Sequence, residues 1–146
     1  MIPETMKAVV LTGPVRGDEV SLTEYPVPKG RPGWVLVKEK AFGMNHSEQI
    51  LRQGEIRADY IQKPLIPGIE CVGEIADPSD SSFKKGQKVA ALMGGMGRSF
   101  NGSYGEYALL PVHHVFSVVS CLSWIELAAV PETYINARGS HFEGLD

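Results

Sequence analysis

The sequence predicts a mainly β domain with a few short helices, closed as a sandwich or a partly open barrel. Three observations lead there. Sixteen glycines and ten prolines are spread along 146 residues rather than clustered, so many short elements are joined by turns. Short β-rich runs bounded by Gly, Pro or Asp follow one another through most of the chain. Helical patterning is confined to one early stretch and to the region after Cys121.

The elements follow in order. Lys7–Leu11 is the first strand, closed by Thr12, Gly13 and Pro14. Val20–Glu24 is the second and stops at Pro26 and Pro28. Trp34–Lys40 alternates Trp34 and Leu36 with Val35 and Val37 before turning charged. Ser47–Gln53 is a helix with Ile50 and Leu51 on one side and Gly54 as its C-cap. Cys71–Ala76, Lys88–Leu92, Tyr104–Leu110 and Val115–Val119 are further strands. Ser123 caps a helix over Trp124–Ala129, with Glu126 completing a capping box, and Pro131 ends it. A last helix runs over Glu132–Phe142.

Composition narrows the function. The length suits one domain, and the net charge of −3 with no basic stripe gives nucleic-acid binding no support. Met1–Leu11 is interrupted by Lys7 and resembles neither a signal peptide nor a membrane span. Cys71 and Cys121 belong to no C-x-x-C pair, so the expectation is two reduced thiols in a cytoplasmic protein. No strand–Gly-rich turn–helix unit of the dinucleotide-binding type is present. The glycines of Met93–Gly102 fail that spacing and suggest a loop over a cleft, with Arg98 and Phe100 near substrate.

Four segments, in order, resemble the medium-chain dehydrogenase/reductase superfamily. They are Gly43-Met44-Asn45-His46-Ser47-Glu48 with Arg52 and Gly54; Pro67-Gly68-Ile69-Glu70-Cys71-Val72-Gly73; Phe83-Lys84-Lys85-Gly86-Gln87-Lys88-Val89; and Gly102-Ser103-Tyr104-Gly105-Glu106-Tyr107-Ala108 with Ala128–Tyr134. Gln87 stands where the third motif has an acid. The resemblance implies a GroES-like, coiled and partly open β-barrel over residues 1–131. Residues 132–146 would then be a helical segment leading toward a Rossmann domain not contained in this chain. It also implies hydride transfer from NADPH or NADH to a quinone, enone or carbonyl, in a cleft between the two domains.

Zinc-dependent members resembling this chain carry cysteine where Asn45 stands and histidine where Ile69 stands. Isoleucine cannot ligate a metal, and an amide is a poor zinc ligand. The resemblance therefore points to the zinc-independent, quinone oxidoreductase-like branch, with no metal site. A pairing of His46 with Glu70 falls short of the three protein ligands a catalytic zinc needs.

The candidate catalytic residues are Asn45, Ser47 and Glu70, and the candidate cofactor-binding residues are Asn45, His46 and Arg52. The Asn45 amide can donate and accept toward a carboxamide or carbonyl, or it can cap the helix after it. Glu70 can bond a neighbouring base or Arg52. Tyr104 belongs to the core or barrel rim. His113 and His114 would face opposite ways on a strand and so could not chelate one metal together, and they are expected to be surface and turn residues. The expected partners are a small-molecule substrate, a Rossmann domain in cis, and a second copy through Tyr134, Ile135, Phe142 and Leu145, which would face water in the chain alone. The chain alone is expected to be inactive and to hold no cofactor tightly. The alternatives are a non-catalytic GroES-like binding or assembly module, and a remnant of a zinc-type alcohol dehydrogenase.

Overall fold

The computed structural model describes residues 1–142, with side chains through residue 138. Seven strands and three helices run in the order β1 (Thr5–Val9), β2 (Leu22–Pro26), β3 (Trp34–Ala41), α1 (His46–Gln53), β4 (Glu70–Asp77), β5 (Lys88–Leu92), β6 (Tyr107–Pro111), β7 (Val115–Ser117), α2 (Trp124–Ala128) and α3 (Pro131–Phe142). β1 and β2 form a two-stranded ribbon. The other five form one curled sheet in the order β6-β3-β4-β5-β7. All five ladders are antiparallel.

Strand β3, between β6 and β4, is covered on both sides. Val35 and Val37 join Cys71, Ile75, Val89, Ala91 and Leu110 in the main core. Leu36, between them, packs on Met6, Ala8, Ile66 and Tyr107. The alternation expected at Trp34–Lys40 therefore separates two cores rather than core from solvent. A third cluster of Leu11, Leu51, Ile56, Ile61 and Leu65 seats α1, and a fourth joins α2 to β4 through Leu127, Ala128 and Val72.

Differences from the sequence expectation lie mostly at edges. Leu11 is outside β1 and meets Leu65 in a single bridge. Val20 is outside β2, which instead includes Pro26. Residues 104–106 are not in β6. They cross to β1, where the Val9 N–H donates to the Tyr104 carbonyl and the Glu106 N–H to the Lys7 carbonyl. β7 stops at Ser117, and Val119 is exposed. On α1 the apolar pair is split: Leu51 is buried and Ile50 exposed, because neighbours on a helix differ by about 100°. α2 ends before Pro131 as expected, and Pro131 itself opens α3, where a residue without an N–H costs no helical bond. Tyr134 and Ile135 on α3 are exposed as expected. The Phe142 side chain and Leu145 lie outside the described residues.

Candidate active site

The site is built around the start of α1. Asn45 is the N-cap residue in extended conformation, with φ −115° and ψ 158°. Three residues on, Glu48 Oε2 accepts the Asn45 N–H at 2.6 Å, and Oε1 accepts the Ile69 N–H at 3.1 Å. One carboxylate thus closes the helix start and ties it to the entry of β4. Glu48 is only 4% exposed. Burial raises its carboxyl above the ordinary value, and its own backbone bonds and the Arg98 charge oppose that rise. Sequence reasoning missed this residue. The Asn-x-x-Glu spacing of a capping box was the signal that could have found it.

Glu70, the first residue of β4, is equally buried. Its Oε1 accepts from Asn45 Nδ2 at 2.9 Å, and its Oε2 accepts the Glu132 backbone N–H at 2.9 Å. That N–H belongs to the first turn of α3, where backbone donors are otherwise orphaned and negative charge is favoured. Glu70 therefore joins α1, β4 and α3, and the expected pairing with Arg52 is not made. The carboxylate occupies this place because residue 43 is glycine. A Cβ there would lie 2.1 Å from Glu70 Oε1, far inside contact distance.

Beside this junction lies a cavity of about 260 Å³ between β1, the turn around Gly17 and the face of α1 carrying Asn45, Gln49 and Arg52. Its walls include Leu11, Val20, Met44, Pro67 and Tyr104. The Tyr104 ring stacks on Phe42 with centroids 4.7 Å apart. Burial, and secondarily the Glu48 charge, push its phenol up to about 12, against a smaller opposing effect of Arg52. Tyr104 stays protonated, a donor at the pocket, throughout the neutral range.

The other expected residues divide. Asn45 and Glu70 are in direct contact. His46 is exposed at the first position of α1. The Ser47 hydroxyl is enclosed and has no partner among the described residues. Arg52 Nη1 donates to the Val15 carbonyl at 3.0 Å. Arg98 does not reach the pocket. It pairs with Glu55, Nε and Nη2 each at 2.9 Å, and donates to the Ser47 carbonyl. Phe100 packs edge-on against Trp34. His113 and His114 lie on a short 3₁₀ turn, in keeping with their reading as turn residues, and there their rings meet at 4.1 Å. Ile69 is buried. Among the described residues, no group of three His, Cys, Asp or Glu side chains converges on a metal position.

Residues 31–120 match the family model described as the alcohol dehydrogenase GroES-like domain. The chain belongs to that family, within the medium-chain dehydrogenase/reductase superfamily. The GroES-like chain is 30% identical over 142 residues to the synaptic vesicle membrane protein VAT-1 homolog-like of Mus musculus, covering 96% of this chain and 32% of that protein. It is 34% identical over 117 residues to the quinone oxidoreductase of Homo sapiens, covering 77% and 32%. The crystal structure of the human VAT-1 homolog-like protein superposes with a TM-score of 0.83 at 29% identity, over 96% of this chain and 44% of that one. This chain thus spans about a third of the length of these curated relatives. Among the described residues no helix is long and apolar enough to cross a membrane.

Proposed function

We propose that this chain supplies the substrate side of a zinc-independent, NAD(P)H-dependent oxidoreductase that reduces a quinone, an enone or another carbonyl by hydride transfer. The observation that supports it most is the contact between Asn45 and Glu70. Where a zinc-binding relative needs a thiolate and an imidazole, this site has an amide bonded to a carboxylate and a buried isoleucine. That donor set does not fit zinc.

NAD(P)H, when bound, supplies the hydride. The chain's part is orientation and polarisation. Asn45 spends one amide hydrogen on Glu70 and keeps its carbonyl oxygen and second hydrogen for a carboxamide or carbonyl. Glu70 positions Asn45 and is not itself open to substrate. His46, exposed in the first turn of α1, suits a cofactor phosphate. Tyr104, held protonated, is a donor toward a carbonyl oxygen in the pocket. A nucleotide-binding domain is the partner this reading requires, and the exposed Ile125, Tyr134 and Ile135 offer it apolar surface. A reducing, cytoplasmic setting agrees with the two free cysteines.

The test has two arms. Calorimetric titration of the chain alone with NADPH should give no sub-micromolar binding, since the described residues include no phosphate-cradling turn. Joined to the nucleotide-binding part of a quinone oxidoreductase, the chain should consume NADPH with a quinone, and Asn45→Ala should slow that consumption. Tight NADPH binding by the chain alone contradicts the division of labour. A joined protein that folds and binds NADPH, yet reduces no quinone, enone or aldehyde, points to a non-catalytic module.

A further inference from the structure

Arg52 stands in the last turn of α1, half-buried, and among the described residues its guanidinium makes a single hydrogen bond, to the Val15 carbonyl. None of the three ion pairs among the described residues includes it. The acids nearby are already engaged. Asp18 pairs with Arg16, Glu19 accepts the Arg16 N–H, and Glu48 spends both oxygens on backbone N–H groups. The guanidinium lies beside Gly17, with Nη2 3.0 Å from the position a Cβ there would take, so the glycine leaves room for it. What fronts the cavity is therefore a cation with several N–H groups unspent among the described residues, set among Leu11, Val20, Met44 and Tyr104. Guanidinium groups in such apolar settings recognise carboxylates, and charge-assisted bonds are strengthened there.

Asn45 and Arg52 lie seven residues apart, about two turns, so they share a face of α1 roughly 10 Å from end to end. Both line the same cavity. We propose that this pocket takes a carbonyl compound with a planar apolar body and a carboxylate at the far end from the reducible group. Arg52 holds the carboxylate and the Asn45 end receives the carbonyl. Arg52 is thus a specificity-determining residue. The word substrate rests on the oxidoreductase reading; the binding site does not.

An anion at Arg52 has two sources, an acidic substrate or a cofactor phosphate, and the apolar walls favour the first. Three probes distinguish them in NMR titrations of the chain: para-carboxybenzalacetone, its methyl ester, and ADP. The carboxylate should bind about tenfold or more tighter than the ester, the size of one charge-assisted bond. Arg52→Gln should erase that difference, and Arg52→Lys should keep part of it. Met44→Trp, on an exposed wall residue, should block both benzalacetone probes and so locates them even where Arg52→Gln folds poorly. Equal binding of acid and ester overturns the proposal, as does a preference that survives Arg52→Gln. ADP displacing the carboxylate through Arg52 also overturns it and assigns the arginine to the cofactor. A carboxylate preference in a protein that reduces nothing leaves the anion site standing and removes the oxidoreductase reading.

Discussion

At the start of β4, Glu70 accepts one hydrogen bond on each carboxylate oxygen. On the adjacent strand β3, Glu39 has both oxygens buried and neither has a partner among the described residues. The two strands pair directly, with Glu39 opposite Gly73. The difference lies in what faces each acid. Glu70 meets the open N-terminus of α3 and an asparagine amide, donors the backbone and helix cap leave free. Glu39 follows Val35 and Val37 on one face of β3, toward the core that holds Cys71. With no donor there, burial drives its carboxyl well above the ordinary range. Cys71 shows the same environment from the other side: burial first, then the charges of Glu39 and Glu70, push its thiol well up. A buried carboxylate here is a junction where donors are orphaned and a burden where they are absent.

The largest effect should come from removing the junction. Glu70→Ala leaves the Asn45 amide and the Glu132 N–H unpaired and should cost about 3 kcal/mol in denaturant unfolding, from two charge-assisted bonds. An Ala variant as stable as the parent would mean that these bonds stabilise nothing. Gly43→Ala should cost about 1–3 kcal/mol by overpacking. Because the Cβ clash is with Glu70 alone, the cost should nearly vanish in a Glu70→Ala background. Simple additivity in that double-mutant cycle would break the explanation of Gly43.

Glu39→Leu should have the opposite sign, a gain of about 1–2 kcal/mol at pH 7 by removing an unsatisfied acid from the core. The pH dependence sharpens it. The folded pKa is raised, so the folded chain keeps a proton that the unfolded chain releases above the ordinary carboxylate value of 4.5. Parent stability therefore falls as pH rises through that window, and the variant's advantage grows with it. An advantage independent of pH would show that Glu39 finds a partner. The smallest effect belongs to Glu55, whose carboxyl is held low chiefly by its bond to Arg98. Glu55→Gln should cost about 1 kcal/mol or less, because the pair is partly solvated. This contribution runs the other way, present above the ordinary value and lost as pH falls through the lowered one.

Much of this was legible in the residues. Turn chemistry and β-rich runs placed all seven strands, and the helices followed from caps and prolines. The errors arose where a segment's partner lies far along the chain, as at residues 104–106, which bond to β1 a hundred positions earlier. At the site, Asn45 and Glu70 came from motifs that lie within the family match. Their contact with each other, and with α3, depended on three distant segments meeting. Glu48 was concealed by its ordinary look on a helix. Glu39 was concealed by the charged run Lys38-Glu39-Lys40, which suggests solvent although strand periodicity puts residue 39 with Val35 and Val37.

In the proposed function, hydrogen bonds to Glu70, in place of a metal, organise the site. Elemental analysis of the dialysed chain, with Glu70→Gln and His46→Ala alongside, tests it most directly. No stoichiometric zinc is expected in any of the three. One zinc per chain in the parent, lost in Glu70→Gln or His46→Ala, would contradict it.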